Sequence, residues 1–278
     1  MTMRPSTIGS ARSFGFGSKP GTTSRGIERL IRRSMSRRKP SSSTPSKQPG
    51  ARGATAPRSA LLAGATGLIG RELLPLLLQG DRYAKVHMLL RRAVAGLPSD
   101  RRLFTLLVDF RVLPEPLPAV DDVYIALGTT IKVAGSQSAF RAVDFDAVVN
   151  TARAARAAGA SRLAIVSALG ADARSGVFYN RVKGEMQDAV AQLGYASVLI
   201  AQPSLLIGDR EALGQPARSG EVWAARLLRP VMGLVPASVR PIEASTVARA
   251  LLRATLQGAP GVQFIPSALL QDLGRPDA

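Results

Sequence analysis

The chain has 278 residues, enough for one large or two small domains, with no cysteine, a single histidine and a formal net charge of +18. The lack of cysteine excludes disulfides and thiolate chemistry, and one histidine excludes a histidine-rich metal centre. The charge is uneven: residues 1–58 hold thirteen Lys or Arg against one acid, Glu28, so about +12 of the total sits there and the high isoelectric point says little about the rest.

Residues 1–58 are also rich in Ser, Pro, Gly and Thr. They carry too few apolar side chains to offset the entropy of ordering, which predicts a disordered basic tail with only a short helical stretch, Ile27 to Met35. The functional readings are an organelle-targeting peptide, a contact for nucleic acid or anionic membrane, or a leader upstream of a later start such as Met35. The plainer reading is a solvated extension. There is no secretory apolar region, and no aromatic pattern accompanies the arginines, so no specific nucleic-acid partner is expected. No run is long and apolar enough to span a bilayer. The body, residues 59–278, is expected in the cytoplasm, with organelle targeting through the tail as the alternative.

From Ala60 onward, short apolar runs alternate with helical stretches. Strands are expected at Ala60 to Ala63, Lys85 to Leu90, Phe104 to Val108, Asp122 to Ala126, Arg162 to Ser167, Ala196 to Ala201 and Gly261 to Ile265. Helices are expected at Ile69 to Gln79, Ser136 to Ala158, Val177 to Leu193, Glu221 to Met232 and Ser245 to Gln257. This order predicts an α/β fold, a doubly wound parallel sheet of Rossmann-like type, whose ligands bind beyond the carboxyl ends of the strands.

The first strand runs into Gly64, Thr66, Gly67, Leu68, Ile69 and Gly70 and then a helix. Gly64 suits a tight turn, Gly67 lets the main chain approach a pyrophosphate, and Gly70 lets helix and strand pack closely. The free N–H groups of the helix start then face the anion. The second strand ends in Arg91 and Arg92, where an NAD-binding chain usually offers an acid to the ribose. Arginine suits a 2′-phosphate, so NADP is expected ahead of NAD. After the third strand, Asp109 and Phe110 suit the adenine edge and face, with a plain turn-forming Asp as the alternative. After the fourth, Leu127, Gly128 and Thr129 suit close passage of the cofactor ribose.

Ser167 ends the fifth strand, and Tyr179 and Lys183 stand four apart near the start of the next helix. At that spacing they share one face, so the ammonium can lie near the phenol and favour its ionised form. Tyr179 then exchanges a proton with a carbonyl or alcohol oxygen that Ser167 holds. His87 falls inside the second strand and reads as a sheet residue. Asp121 and Asp122 read as turn residues at a strand start, Asp144 and Asp146 show no metal signature, and Asn150 reads as structural support.

Taken together, GATGLIG, LLRR, VDF, ALGTT, VDFD, VSALGA, YNRVK and QPSLLIG resemble the atypical short-chain dehydrogenase/reductases. They are similar above all to the NAD(P)H-binding oxidoreductases related to the Tat-interacting tumour-suppressor protein, whose bacterial members are often labelled nucleoside-diphosphate-sugar epimerases. The resemblance covers about Ser59 to Leu269. It implies a Rossmann fold with NADP(H), a Ser, Tyr and Lys set at Ser167, Tyr179 and Lys183, and Pro203 with Leu205 to Ile207 bordering the nicotinamide. The substrate region is expected at residues 204–239, where Trp223, Arg226, Arg229, Pro230, Met232 and Arg240 offer an apolar pocket with a basic rim. That region is short for a sugar nucleotide and favours a small carbonyl compound. The expected activity is NADP(H)-dependent hydride transfer to or from a small carbonyl or alcohol, and the alternative is a non-catalytic NADP(H)-sensing regulatory or scaffold protein. No metal is expected, and a homo-oligomer or protein partner is left open.

Overall fold

Each apolar run is long enough to cross a sheet once, and the central runs are buried on both faces, as parallel strands covered by helices require, while the edge runs at Leu103–Leu107 and Gly261–Pro266 stay largely exposed. The computed structural model describes residues 57–208 and 236–276, all within one structural unit, Thr55–Ala278. The readings for residues 1–56, for Trp223 to Met232 and for most of the expected substrate region lie outside the described residues.

The strands are β1 (Arg58–Ala63), β2 (Tyr83–Leu90), β3 (Leu103–Leu107), β4 (Asp122–Ile125), β5 (Arg162–Val166), β6 (Ser197–Gln202), β7 (Leu206–Ile207), β8 (Ile242–Glu243) and β9 (Gly261–Pro266). The helices are α1 (Leu68–Leu78), α2 (Ile131–Ala134), α3 (Gln137–Arg141), α4 (Val148–Ala157), α5 (Phe178–Ala191), α6 (Ala244–Gln257) and α7 (Ser267–Leu273). One seven-stranded sheet runs in the order β3-β2-β1-β4-β5-β6-β9 with every pair parallel, and β7 and β8 form a separate two-stranded ladder. This is the Rossmann-like doubly wound sheet, and its strand order reverses between β1 and β4, where a ligand crevice is expected.

Alternate residues of each strand feed two cores. In β1, Ala60 and Leu62 pack with Leu73 and Leu77 of α1 and Val247 and Leu251 of α6. Leu61 and Ala63 pack on the other face with Val148 and Ala152 of α4 and Met186 and Val190 of α5. The two helix layers therefore clamp the central strands and fix the ends from which the site is built.

Three details differ from the sequence reading. The strand expected at Ala60 starts at Arg58, because Arg58 pairs with a buried carboxylate, Asp122. Asp122 is therefore not a turn residue: it accepts from Arg58 and, at 2.7 Å, from the Tyr83 hydroxyl, which lies 2.8 Å from that of Tyr124. Burial raises the Asp122 carboxyl to about 6, although the Tyr83 hydrogen bond and the Arg58 charge both oppose the rise. Asp121 does serve the strand start, taking the Ser59 N–H at 2.7 Å. Finally, the helix expected over Ser136 to Ala158 is interrupted by a π turn, Ala142–Ala147, between α3 and α4.

Candidate active site

Gly64 has φ of +93°, and Gly67 N–H closes the turn onto Gly64 O at 3.0 Å. A Cβ at Gly64 would fall 2.6 Å from the Ala126 carbonyl, and one at Gly70 only 2.0 Å from Gly64 O. Both glycines are thus required by the protein's own packing, which seats α1 directly on the turn. Gly67 differs: the nearest atom to an added Cβ is 3.4 Å away, and the residue lines a cavity of about 570 Å³ with Leu68 and Ile69. No side chain caps the α1 N-terminus and no acid sits in its first turn. A bare backbone with free N–H groups facing a cavity fits the pyrophosphate of a dinucleotide. Thr66 is exposed on the same turn.

The cavity lies at the carboxyl ends of the central strands. Leu127, Gly128 and Thr129 enter it after β4, Ser167 after β5 and Pro203 after β6, while α5 contributes Tyr179 and Lys183. Ser167, Tyr179 and Lys183 are therefore brought together with the glycine turn. The Tyr179 ring leans on Phe140, with centroids 5.4 Å apart. The loop between Ser167 and Tyr179 is held at both sides: Leu169 N–H donates to Pro203 O at 2.9 Å, and the backbone at Asp172 and Ala173 crosses α5 at Gly184. A Cβ on Gly184 would lie 2.0 Å from Ala173 N, so no larger residue fits there without moving that loop.

Lys183 is buried, and its Nζ sits 2.8 Å from Asp144 Oδ1, with only 4% of the lysine side chain and 1% of the aspartate exposed. Asp144 Oδ2 accepts the Thr129 N–H at 2.8 Å, while Oδ1 has Lys183 close by but no well-aligned hydrogen-bond donor. The pair couples α5 to the loop after β4. Both acids of the VDFD stretch lie in the π turn, Asp144 buried and Asp146 exposed on the opposite side, so the two do not act together. The sequence reading weighed Asp144 only as a metal candidate beside Asp146 and did not find its pairing with Lys183, for which the one signal is an acid within the VDFD stretch.

Gln187, also missed, stands four residues beyond Lys183 on α5 and donates from Nε2 to Ser167 Oγ at 2.6 Å. Its Oε1 accepts from Gln202 Nε2 at 3.4 Å.

Several expected contacts lie outside the cavity wall. Arg91 and Arg92 are exposed immediately after β2 and meet no acid among the described residues. Asp109 is held in a turn by Arg111, whose guanidinium lies 3.1 Å away and lowers the carboxyl, together with the Arg111 N–H. Phe110 is half-buried against the α4 and α5 core. His87 stacks on Phe104 in the sheet, at 5.3 Å, and burial and Lys85 lower its pKa. Asn150 accepts from Arg153 at 3.4 Å on its own helix. No helix among the described residues is long and apolar enough to cross a membrane.

Residues 64–205 match the family described as NAD(P)H-binding. The chain is 31% identical over 226 residues to Protein HTATIP2 of Rattus norvegicus, covering 78% of this chain and 90% of that protein. It is 29% identical over 214 residues to the mitochondrial protein FMP52 of Lodderomyces elongisporus, covering 73% and 89%. Among solved structures, MoeE5 in complex with UDP-glucose and NAD superposes with a TM-score of 0.56 at 18% identity over 74% of this chain and 75% of that one. Bordetella bronchiseptica WbmF in complex with NAD+ gives 0.56 at 15% over 79% and 77%, so both share the fold. A Rossmann sheet, a glycine turn opening on the cavity and these relatives agree: the chain belongs to the NAD(P)H-binding Rossmann family of atypical short-chain dehydrogenase/reductases that includes HTATIP2 and FMP52.

Proposed function

We propose that the chain is an NADP(H)-dependent oxidoreductase acting on a small carbonyl or alcohol. The observation that carries this reading is the meeting of Ser167 and Tyr179 in one cavity with the glycine turn, with Lys183 buried beside them. When bound, the nicotinamide supplies or accepts the hydride. Gly67 and the uncapped start of α1 hold the pyrophosphate, Lys183 reaches the ribose from its fixed place beside Asp144, and Leu127, Gly128, Thr129 and Pro203 border the cofactor. Arg91 and Arg92, exposed at the end of β2 and meeting no acid among the described residues, take the 2′-phosphate. Phe110 flanks the adenine, while Asp109, already bonded to Arg111, serves its turn.

Ser167 meets the substrate oxygen and Tyr179 exchanges a proton with it. Ile131, Val133 and Leu205 line the cavity with exposed apolar side chains, which supports a small carbonyl over the nucleotide sugars named for structural neighbours. The cytoplasmic expectation draws no support from relatives, several of which carry mitochondrial names. The Arg- and Ser-rich tail suits organelle targeting instead, and imaging a fluorescent fusion to residues 1–58 tests that.

Titration calorimetry with NADPH and NADH, followed by a carbonyl screen on the same protein, tests the main reading. The expected result is a preference for NADPH, with turnover. Tyr179→Phe should lower kcat by about 10²- to 10⁴-fold at nearly unchanged NADPH affinity. Arg91→Asp should weaken NADPH much more than NADH, and an unchanged preference rejects the 2′-phosphate assignment. Tight NADPH binding without turnover on any carbonyl moves the protein to the sensor class.

A further inference from the structure

The hydrogen bond behind Ser167 has a direction. A serine hydroxyl offers one donor and two acceptor sites, and Gln187 Nε2 fills an acceptor site at 2.6 Å. Both residues are almost wholly buried, Ser167 at 5% exposure and Gln187 at 4%, so water does not scramble the arrangement. Gln202 Nε2 in turn donates to Gln187 Oε1 at 3.4 Å, leaving the Gln187 amide hydrogens for Ser167. No acceptor for the Ser167 O–H is found within the described residues, and Ser167 lines the cavity. We infer that Gln187 is a positioning residue that occupies one acceptor site of Ser167, leaves its O–H to be donated into the cavity, and thereby favours an acceptor oxygen in the group facing it.

The inference rests on the reading of Ser167 as the residue that meets the substrate oxygen. Its chemical content is selectivity by polarity. A carbonyl oxygen accepts from Ser167 and Tyr179 together, and an alcohol oxygen accepts from Ser167 while its own proton leaves toward Tyr179. An ammonium or N–H group at the same place can use only the remaining acceptor site of Ser167 and leaves the serine O–H undonated, and a buried donor without an acceptor keeps its full desolvation cost, so such a group is disfavoured. Tyr179, Lys183 and Gln187 recur every four residues on α5, so one helix places the proton-exchanging phenol, the cofactor-directed ammonium and the amide that sets serine polarity.

Two measurements on the full-length protein decide it. With ¹⁵N-labelled glutamine, the Gln187 side-chain amide, assigned by its disappearance in Gln187→Leu, should be shifted and slow to exchange, and Ser167→Ala should abolish both features. An amide unaffected by Ser167→Ala overturns the inference. Gln187→Glu keeps the size but reverses the polarity: ionised, the new carboxylate accepts from Ser167 and turns the hydroxyl away from the cavity. Carbonyl kcat/KM should fall by about 10²-fold at unchanged NADPH affinity. It should recover as the pH is lowered, because a protonated carboxyl can donate again. A loss equal at every pH points to a merely structural role and overturns the inference, as does a wild-type rate. A wild-type protein that reduces no carbonyl yet shows the Ser167-dependent amide signal loses the hydride-transfer reading and retains the polarity.

Discussion

Two buried acid–base pairs sit at opposite ends of the same sheet, and they are finished differently. At the amino ends of the strands, Asp122 bonds Arg58 through one oxygen and Tyr83 through the other, so both oxygens have a hydrogen-bond partner. At the carboxyl ends, Asp144 spends Oδ2 on the Thr129 N–H and leaves Oδ1 beside Lys183 without an aligned donor. The first pair is closed on itself and joins β1, β2 and β4. The second borders the cavity and joins a helix to a loop. The first acid serves the architecture alone, whereas the second also fixes a lysine that lines the cavity.

The comparison can be broken by removing one cation from each pair. Lys183→Met leaves Asp144 without a charged partner among the described residues, and should lower unfolding stability in urea by about 3–5 kcal/mol at pH 7. A loss under 1 kcal/mol would mean that the lysine end is not a strained pair. The amino end can be sharpened by pH. The folded Asp122 carboxyl, at about 6, lies above its unfolded value of about 3.9, so the folded state binds the proton more tightly. Its contribution is full below about pH 4 and is lost as pH rises to about 6, a span worth up to about 3 kcal/mol. The stability difference between wild type and Asp122→Asn should therefore fall across that window and stay flat above it, and a flat difference throughout rejects the raised carboxyl. Arg58→Gln should cost the least, about 1–2 kcal/mol, because the Tyr83 hydroxyl still serves Asp122.

Most of the sheet is readable in the sequence because each strand is a mostly apolar run flanked by turn or helix signals, with the central ones buried on both faces, and the expected bounds lie within two residues of those found. The glycine turn and the positions of Ser167, Tyr179 and Lys183 can be read from order and spacing along the chain, and they line one cavity. Asp144 cannot be read this way. Residues two apart fall on opposite faces of a helix, so the spacing says that one acid of VDFD turns inward but not which, and the partner that decides it, Lys183, lies 39 residues further along the chain. Gln187 is partly legible in its spacing from Lys183, but its role depends on Ser167, twenty residues earlier in the chain and adjacent only after folding. Arg58 looks like part of the basic tail because its partner lies 64 residues away.

Because β1 lies inside the sheet, between β2 and β4, and its first residue neutralises a buried acid, the Arg58 side chain also sets a limit for proteolysis. Cleavage anywhere before Pro57 leaves the strand and its ion pair intact. Cleavage after Arg58 removes one cation and exposes the Asp122 site at the central strands, so stepwise N-terminal trimming should stop at a resistant fragment beginning just ahead of that arginine.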